Sequence, residues 1–339
     1  MIKRKINIYN AVGTILAHDL TEVTPGRFSG AAFRKGHLIR KQDIPKLLKI
    51  GKEHIWALKL TGDEIHEDAA AEKFRCFAGR NISCEGPSEG KILFIADTDG
   101  LLIIDRGEVD RINAIGGIVF STFHSLIPVK KDDRVAGIRI VPLALSVKKV
   151  NAAVRNASRK KPVGLIPFKK KKIAVVITGS EVASGIIKDK FGSVMGKKAA
   201  EYGCEISQTR VVADDERLIV KAIEDLRKKC DILVVTGGMS VDPDDVTRRA
   251  IKKAGTKIVQ YGIPVMPGNM TLVGYLGNVA VIGMPACALH RKRTVFDLLF
   301  PMLLADCRLE KKDLLKRGYG GFCSGCDVCD WPKCAFGKC

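Results

Sequence analysis

Two short runs constrain the fold of this chain more than any other feature. Ile173-Ala-Val-Val-Ile-Thr178 and Ile232-Leu-Val-Val-Thr236 are apolar at successive positions, not at alternate ones, and each ends on glycine (Gly179; Gly237-Gly238). A strand that is apolar on both sides is buried on both sides, so its sheet must be covered above and below. Helical patterns over Ser193–Tyr202 and Glu216–Lys229 lie between the two runs. Strands alternating with helices dictate a mainly parallel sheet, so 172–306 is expected to be a three-layer α/β domain. Ligands of such sheets sit at the carboxyl ends of the strands, where the connections diverge.

A chain of 339 residues is expected to hold more than one core. Residues 1–60 read as a small β-rich segment, with a strand in Val12–Ala17, a helix over Asp43–Ile50 stopped by Gly51, and a strand from His54. Residues 61–150 read as α+β. A helix is expected over Glu67–Ala78, with strands at Ile92–Ala96, Leu101–Ile104, Gly117–Ser121 and Val135–Leu143. The turn residues Asp97–Gly100 predict a hairpin between the first two of these strands. Residues 151–171 read as a basic linker containing Pro162 and Pro167, and 307–339 as a cysteine-rich tail.

The formal charge of +20 favours anionic ligands or partners, although the runs Arg159–Lys161 and Lys169–Lys172 also suit a solvated linker. Aromatic residues make up 6% and do not interleave with the basic ones, which argues against nucleic-acid binding. No apolar run approaches the roughly 20 residues of a membrane span, and no signal-peptide core follows the basic start, so a cytoplasmic location is expected.

Three glycine-bearing loops follow expected strands: Thr178-Gly179-Ser180-Glu181, Thr236-Gly237-Gly238-Met239-Ser240, and Pro264 to Met270 with Pro267-Gly268. Glycine lets backbone amides approach an anionic or planar ligand. Asp242, Asp244 and Asp245 precede a helical pattern, and Asp214-Asp215 precede another. Such acids either cap helices or hold Mg²⁺ against phosphate oxygens. Gly192-Ser-Val-Met-Gly196-Lys197-Lys198 is no P-loop, being one residue short and lacking Ser or Thr after the lysine. His290, three residues after Cys287, reads as a helix-surface histidine beside a buried thiol.

The Thr178–Glu181 loop, Asp214 in Val-Ala-Asp-Asp-Glu, and Thr236-Gly-Gly-Met-Ser through Asp245-Val-Thr together resemble the molybdopterin-binding domain of molybdopterin molybdotransferases and adenylyltransferases. The resemblance implies binding of molybdopterin or its adenylylated form and a place in molybdenum cofactor assembly. It gives Asp245 and Asp214 Mg²⁺-binding or catalytic roles, and implies a homo-oligomer working with other cofactor-assembly proteins or molybdoenzymes. Ser180 stands where the family has Asp or Asn. The family's Pro-Gly-Lys-Pro loop is Pro267-Gly268-Asn269-Met270 here, without the lysine, and Leu-Pro-Gly-Asn-Pro is Met284-Pro285-Ala286-Cys287-Ala288. Where molybdotransferases continue into a small β-domain, this chain enters its tail. The departures leave two readings: metal insertion into the pterin, or a non-catalytic carrier or redox sensor.

The tail reads C-x2-C-x2-C-x4-C-x4-C from Cys323 to Cys339, five of the 11 cysteines. Thiolates at this spacing converge on a metal, with Cys323, Cys326, Cys329 and Cys334 as ligands of an iron–sulfur cluster or Zn²⁺. A redox-active thiol set is the alternative.

Overall fold

The computed structural model describes residues 2–24, 28–157, 159–186, 188–239 and 246–338. The chain divides into two compact units. The first comprises Met1–Asp97, Ile103–Phe123 and Lys131–Leu165; the second comprises Thr98–Leu102, His124–Lys130 and Ile166–Cys339.

In the first unit, Ile2–Asn7 and Ile15–Leu16 flank His54–Lys59 in an antiparallel sheet. Ile8, Leu16, Ile39, Leu47 and Ile55 form its core. The strand expected over Val12–Ala17 is confined to Ile15–Leu16, because a turn through Gly13 (φ +83°) precedes it. A second antiparallel sheet orders Ile118–Thr122, Arg134–Ile140, Lys91–Ala96 and Ile82–Ser88. The helix expected from Glu67 is α-helical only to Glu72 and continues as a 3₁₀ turn over Lys73–Phe77, which buries Phe74 and Phe77.

The expected Asp97–Gly100 hairpin does not form. Lys91–Ala96 pairs with Ile82–Ser88 and Arg134–Ile140, whereas Gly100–Ile104 pairs with Pro128–Val129. Turn residues fix a change of direction but not the partner. Lys91–Ala96 already has both edges filled, by a local hairpin with Ile82–Ser88 and by Arg134–Ile140. The stretch read as a basic linker carries the strand Val163–Pro167.

The second unit is built on a six-stranded sheet. Its strands are β1 (Ile173–Thr178), β2 (Ile206–Val212), β3 (Ile232–Thr236), β4 (Lys257–Tyr261), β5 (Leu272–Leu276) and β6 (Val279–Met284). The order is β2-β1-β3-β6-β5-β4. The first four run parallel, and β5 is reversed between β6 and β4. A two-residue turn at Gly277 (φ +64°) and Asn278 makes the β5–β6 hairpin.

Helix α1 spans Phe191–Ala200, α2 Glu216–Leu226, α3 Thr247–Lys253 and α4 Val295–Leu304. Helices α2 and α3 cover the sheet face carrying Ala174, Val176, Leu233, Val235 and Val281. Helix α1 packs against β1 and β2 and buries Phe191, Met195 and Ala199. Every side chain of β1 and β3 is buried, as their uninterrupted apolar character required. Gly192, in the run rejected as a P-loop, lies in the first turn of α1, where Asp189 accepts from the amides of Phe191 and Gly192. No helix among the described residues is long and apolar enough to cross a membrane.

Candidate functional site

The connection leaving β1 runs to β2 on one side, and that leaving β3 runs to β4 on the other. The crevice of an open α/β sheet therefore opens at the carboxyl ends of β1 and β3. The first two glycine loops meet there. The Thr178 hydroxyl, buried, donates to the carbonyl of Thr236 at 3.0 Å and lies 3.1 Å from the hydroxyl of Thr247 on α3. Thr178 thus ties the loops together from beneath.

Gly237 (φ +87°) sits so close to β1 that a Cβ would come 2.5 Å from the Thr178 carbonyl oxygen. Its lack of a side chain is required by loop-to-loop contact, a reason the sequence did not reveal. Gly238 also has positive φ, at +51°. Met239 is buried beneath Gly283 and its carbonyl accepts from the Tyr261 hydroxyl at 2.9 Å, so its side chain belongs to the core. The Thr236 hydroxyl is fully buried and has no hydrogen-bond partner among the described residues.

Gly179 (φ +151°) opens a single helical turn, Ser180–Ala183. The carboxylate of Asp214, at the end of β2, accepts from the Ser180 amide at 2.9 Å and faces its hydroxyl at 3.4 Å. The Asp214 amide donates back to the Ser180 hydroxyl at 3.2 Å. Glu181 stands exposed in the same turn. The two adjacent acids divide their work: Asp215 caps α2, accepting from the amides of Arg217 and Leu218, and Asp214 is left at the crevice. Ser240, Asp242, Asp244 and Asp245 lie outside the described residues.

The third loop opens at the same end of the sheet, since β4 runs in the direction of β6. It is displaced from β3 by three strand spacings, about 14 Å. Gly268 (φ +105°) packs on Thr294 and Val295 at the start of α4, and the Pro267 carbonyl accepts from the Val295 amide. Met266 bridges to Phe322, with the Met266 amide donating to Gly321 and the Cys323 amide to Met266. Pro267 and Gly268 therefore join the tail.

The tail folds back to line an open cavity of about 520 Å³. Cys323, Cys326, Cys329 and Cys334 line it together with the run His290-Arg291-Lys292-Arg293. Among the described residues no group of three or more His, Cys, Asp or Glu closes on a point that could hold a metal ion. Arg293 lies over the Trp331 ring at 4.5 Å and pairs with Glu201 and Asp297 at 2.7 and 3.1 Å. Burial works against its charge, but the hydrogen bond it donates to Glu201 and the charges of Asp297 and Glu201 prevail and hold its pKa above the ordinary arginine value. Cys287 does not line the cavity, and burial pushes its thiol up. His290 follows a 3₁₀ turn, Ala286–Leu289, that aims it at the tail instead of placing it on a helix surface. The basic run was the one sequence signal available for this wall, and only the tail's return gives it a meaning.

Residues 174–305 match the family model described as "Probable molybdopterin binding domain", and residues 5–59 match one described as a domain of unknown function. A CinA-like protein of Thermosipho melanesiensis is 37% identical over 83 residues, 24% of this chain and 21% of that protein. The chain spans about a fifth of the length of such CinA-like relatives. A molybdopterin molybdenumtransferase of Haemophilus influenzae is 22% identical over 313 residues, 88% of this chain and 71% of that protein. The solved structure of the tungsten cofactor synthesizing protein MoaB of Pyrococcus furiosus covers 42% of this chain and 99% of its own. Its TM-score is 0.33 and its identity 20%.

Proposed function

We propose, from the match of residues 174–305 to the family model described as a probable molybdopterin binding domain, that this chain binds molybdopterin in the assembly or handling of the molybdenum cofactor. The observation that carries this reading is the meeting of the β1 and β3 loops at the sheet's switch point, with Ser180 and Asp214 locked together beside them. The amides of Glu181, Gly237 and Gly238 are those the loops offer a ligand, since the Gly179 amide donates to the Val212 carbonyl and the Ser180 amide to the Asp214 carboxylate. Asp214, with Asp245, would hold Mg²⁺, which when bound neutralises phosphate charge. The surplus of basic residues suits an anionic ligand.

The enzyme reading is metal insertion into the adenylylated pterin. The second reading is a carrier that hands the cofactor to a cytoplasmic partner, and two features favour it. The lysine of the Pro-Gly-Lys-Pro loop is replaced by Asn269, and Pro267 borders the thiol-lined cavity. A homo-oligomer is part of either reading.

The test is anaerobic purification of the full chain, followed by acid release of oxidised pterin and its fluorescence. Pterin retained by the native chain and lost in Asp214→Asn, with unchanged circular dichroism, supports binding. A chain that takes up no pterin even when molybdopterin is supplied sinks both readings. Turnover with molybdate or tungstate, abolished in Asp245→Asn, separates enzyme from carrier.

A further inference from the structure

We infer that the first unit carries a binding site for a small zwitterion of the amino-acid class, whose ammonium pairs with Glu67 inside a cavity and whose carboxylate pairs with Arg34 and Lys35 at its mouth. The site lies in a different unit from the crevice and stands or falls separately from pterin binding.

The cavity is open and measures about 650 Å³, within the roughly 300–1,000 Å³ of small-molecule sites. Two stretches of the first unit, distant in sequence, line it. Arg34, Lys35 and Leu58 come from one, and Glu67, Arg139 and Leu143 from the other.

The Glu67 carboxyl is the group that calls for a ligand. It is 6% exposed, yet it accepts no hydrogen bond and makes no ion pair among the described residues. A Cβ on Gly36 would come 3.0 Å from one of its oxygens, and a Cβ on Gly90 3.1 Å from the other. The donors nearby are already spent. The Gly36 amide donates to the Leu16 carbonyl, and the Gly90 amide to the Asp68 carboxylate. The His66 ring uses both nitrogens, one on the Gly36 carbonyl at 2.7 Å and one on the Asp68 amide at 3.2 Å. A buried carboxyl left this way is costly to ionise, and burial holds the Glu67 pKa above the ordinary glutamate value. An ammonium inside the cavity supplies both the missing donors and the missing countercharge.

The mouth has the opposite need. Arg34 and Arg139 are exposed and share one carboxylate, Glu89, at 2.8 and 3.8 Å. The Lys35 ammonium makes no ion pair among the described residues; Asp19 instead accepts from the Lys35 amide at 2.6 Å. Bases are therefore in surplus where an acid is lacking, and an acid stands alone within. Across the whole lining, Arg34, Lys35 and Arg139 balance Asp19, Glu67 and Glu89. A ligand that is neutral overall but carries separated charges keeps that balance, whereas a simple cation or anion upsets it. Leu58, Val141 and Leu143 offer apolar cover between the two ends, which suits an apolar side chain.

The experiment is titration calorimetry of the full chain with L-leucine, L-methionine and L-phenylalanine, each compared with its decarboxylated amine and its deaminated acid. The expected result is one amino acid bound per chain, with both half-molecules weaker by about tenfold or more, since each forfeits a charged hydrogen bond. Glu67→Gln removes the buried charge without removing the side chain, so the variant folds, as circular dichroism would show. It should weaken the amino acid by about the same factor and leave the deaminated acid unchanged. Arg34→Ala/Lys35→Ala should weaken the amino acid and leave the amine unchanged. Three amino acids that all fail to bind at millimolar concentration would overturn the inference. So would a deaminated acid that binds as tightly as its amino acid, with Glu67→Gln without effect, which would make the cavity an anion site. An amine that matches its amino acid would overturn the role of Arg34 and Lys35.

Discussion

Asp297→Ala should be among the most damaging single substitutions in the second unit. Asp297 is 3% exposed and Lys198 6% exposed. The Lys198 ammonium donates to both carboxylate oxygens at 2.6 and 2.8 Å, Arg293 donates to one at 3.1 Å, and the Thr294 amide to the other at 2.8 Å. Asp297 is also the third residue of α4 and closes its capping box with Thr294. With alanine there, Lys198 keeps only the Lys292 carbonyl at 3.1 Å. An uncompensated buried charge costs about 3–5 kcal/mol, and loss of the cap about 1 kcal/mol. Lys198→Met is milder, about 2 kcal/mol, because Asp297 retains Arg293 and Thr294. The double variant Lys198→Met/Asp297→Ala should be more stable than Asp297→Ala alone, since it no longer buries an unpaired ammonium. Urea unfolding followed by Trp331 fluorescence in a Trp56→Phe background measures all three. A double variant less stable than Asp297→Ala, or an Asp297→Ala loss under about 1.5 kcal/mol, would refute the argument, because that penalty is set by the stranded charge.

Gly237→Ala should destabilise by about 3 kcal/mol, combining positive-φ strain with the clash on Thr178. Gly185→Ala, at φ +77° with open space around it, should cost about 1 kcal/mol, and urea midpoints compare the two. Asp215→Ala should lower stability by about 1 kcal/mol through loss of the α2 cap while leaving pterin retention intact, the reverse of Asp214→Asn; pterin fluorescence and urea melts read the two effects separately. Burial raises the folded pKa of Glu67 above the ordinary glutamate value, against the lowering effect of His66. The unfolded chain therefore gives up that proton first as pH rises, and folding is penalised once pH climbs past the ordinary value, fully so above the folded one. Glu67→Gln should accordingly raise stability at neutral pH and leave it unchanged below the ordinary glutamate range, as thermal melts across pH would show.

Sequence by itself determined the heart of the second unit. Ile173–Thr178 and Ile232–Thr236 are apolar on both faces, and only a covered, mainly parallel sheet buries both. The glycines that end them mark where its crevice opens. The tail's spacing likewise kept its thiols close along the chain, and Cys323, Cys326, Cys329 and Cys334 line one cavity. What only the tertiary structure decided is which pieces meet. Asp97–Gly100 looks like a hairpin turn, yet Lys91–Ala96 is taken by the preceding strand Ile82–Ser88 and by the distant Arg134–Ile140, and Gly100–Ile104 by Pro128–Val129, because cross-strand packing is a property of whole faces. Pro267-Gly268 reads as a third ligand loop, but backbone pairing of Met266 with Phe322 draws it to the tail. Asp214 and Asp215 are indistinguishable as neighbours until helix α2 takes one as its cap and leaves the other at the crevice. The run His290–Arg293 became the cationic wall of a thiol-lined cavity only when residues 322–336 folded back across it. Periodicity and spacing are local, and a chain of 339 residues carries them in its sequence. Partner choice is settled by the free energy of packing surfaces far apart along the chain.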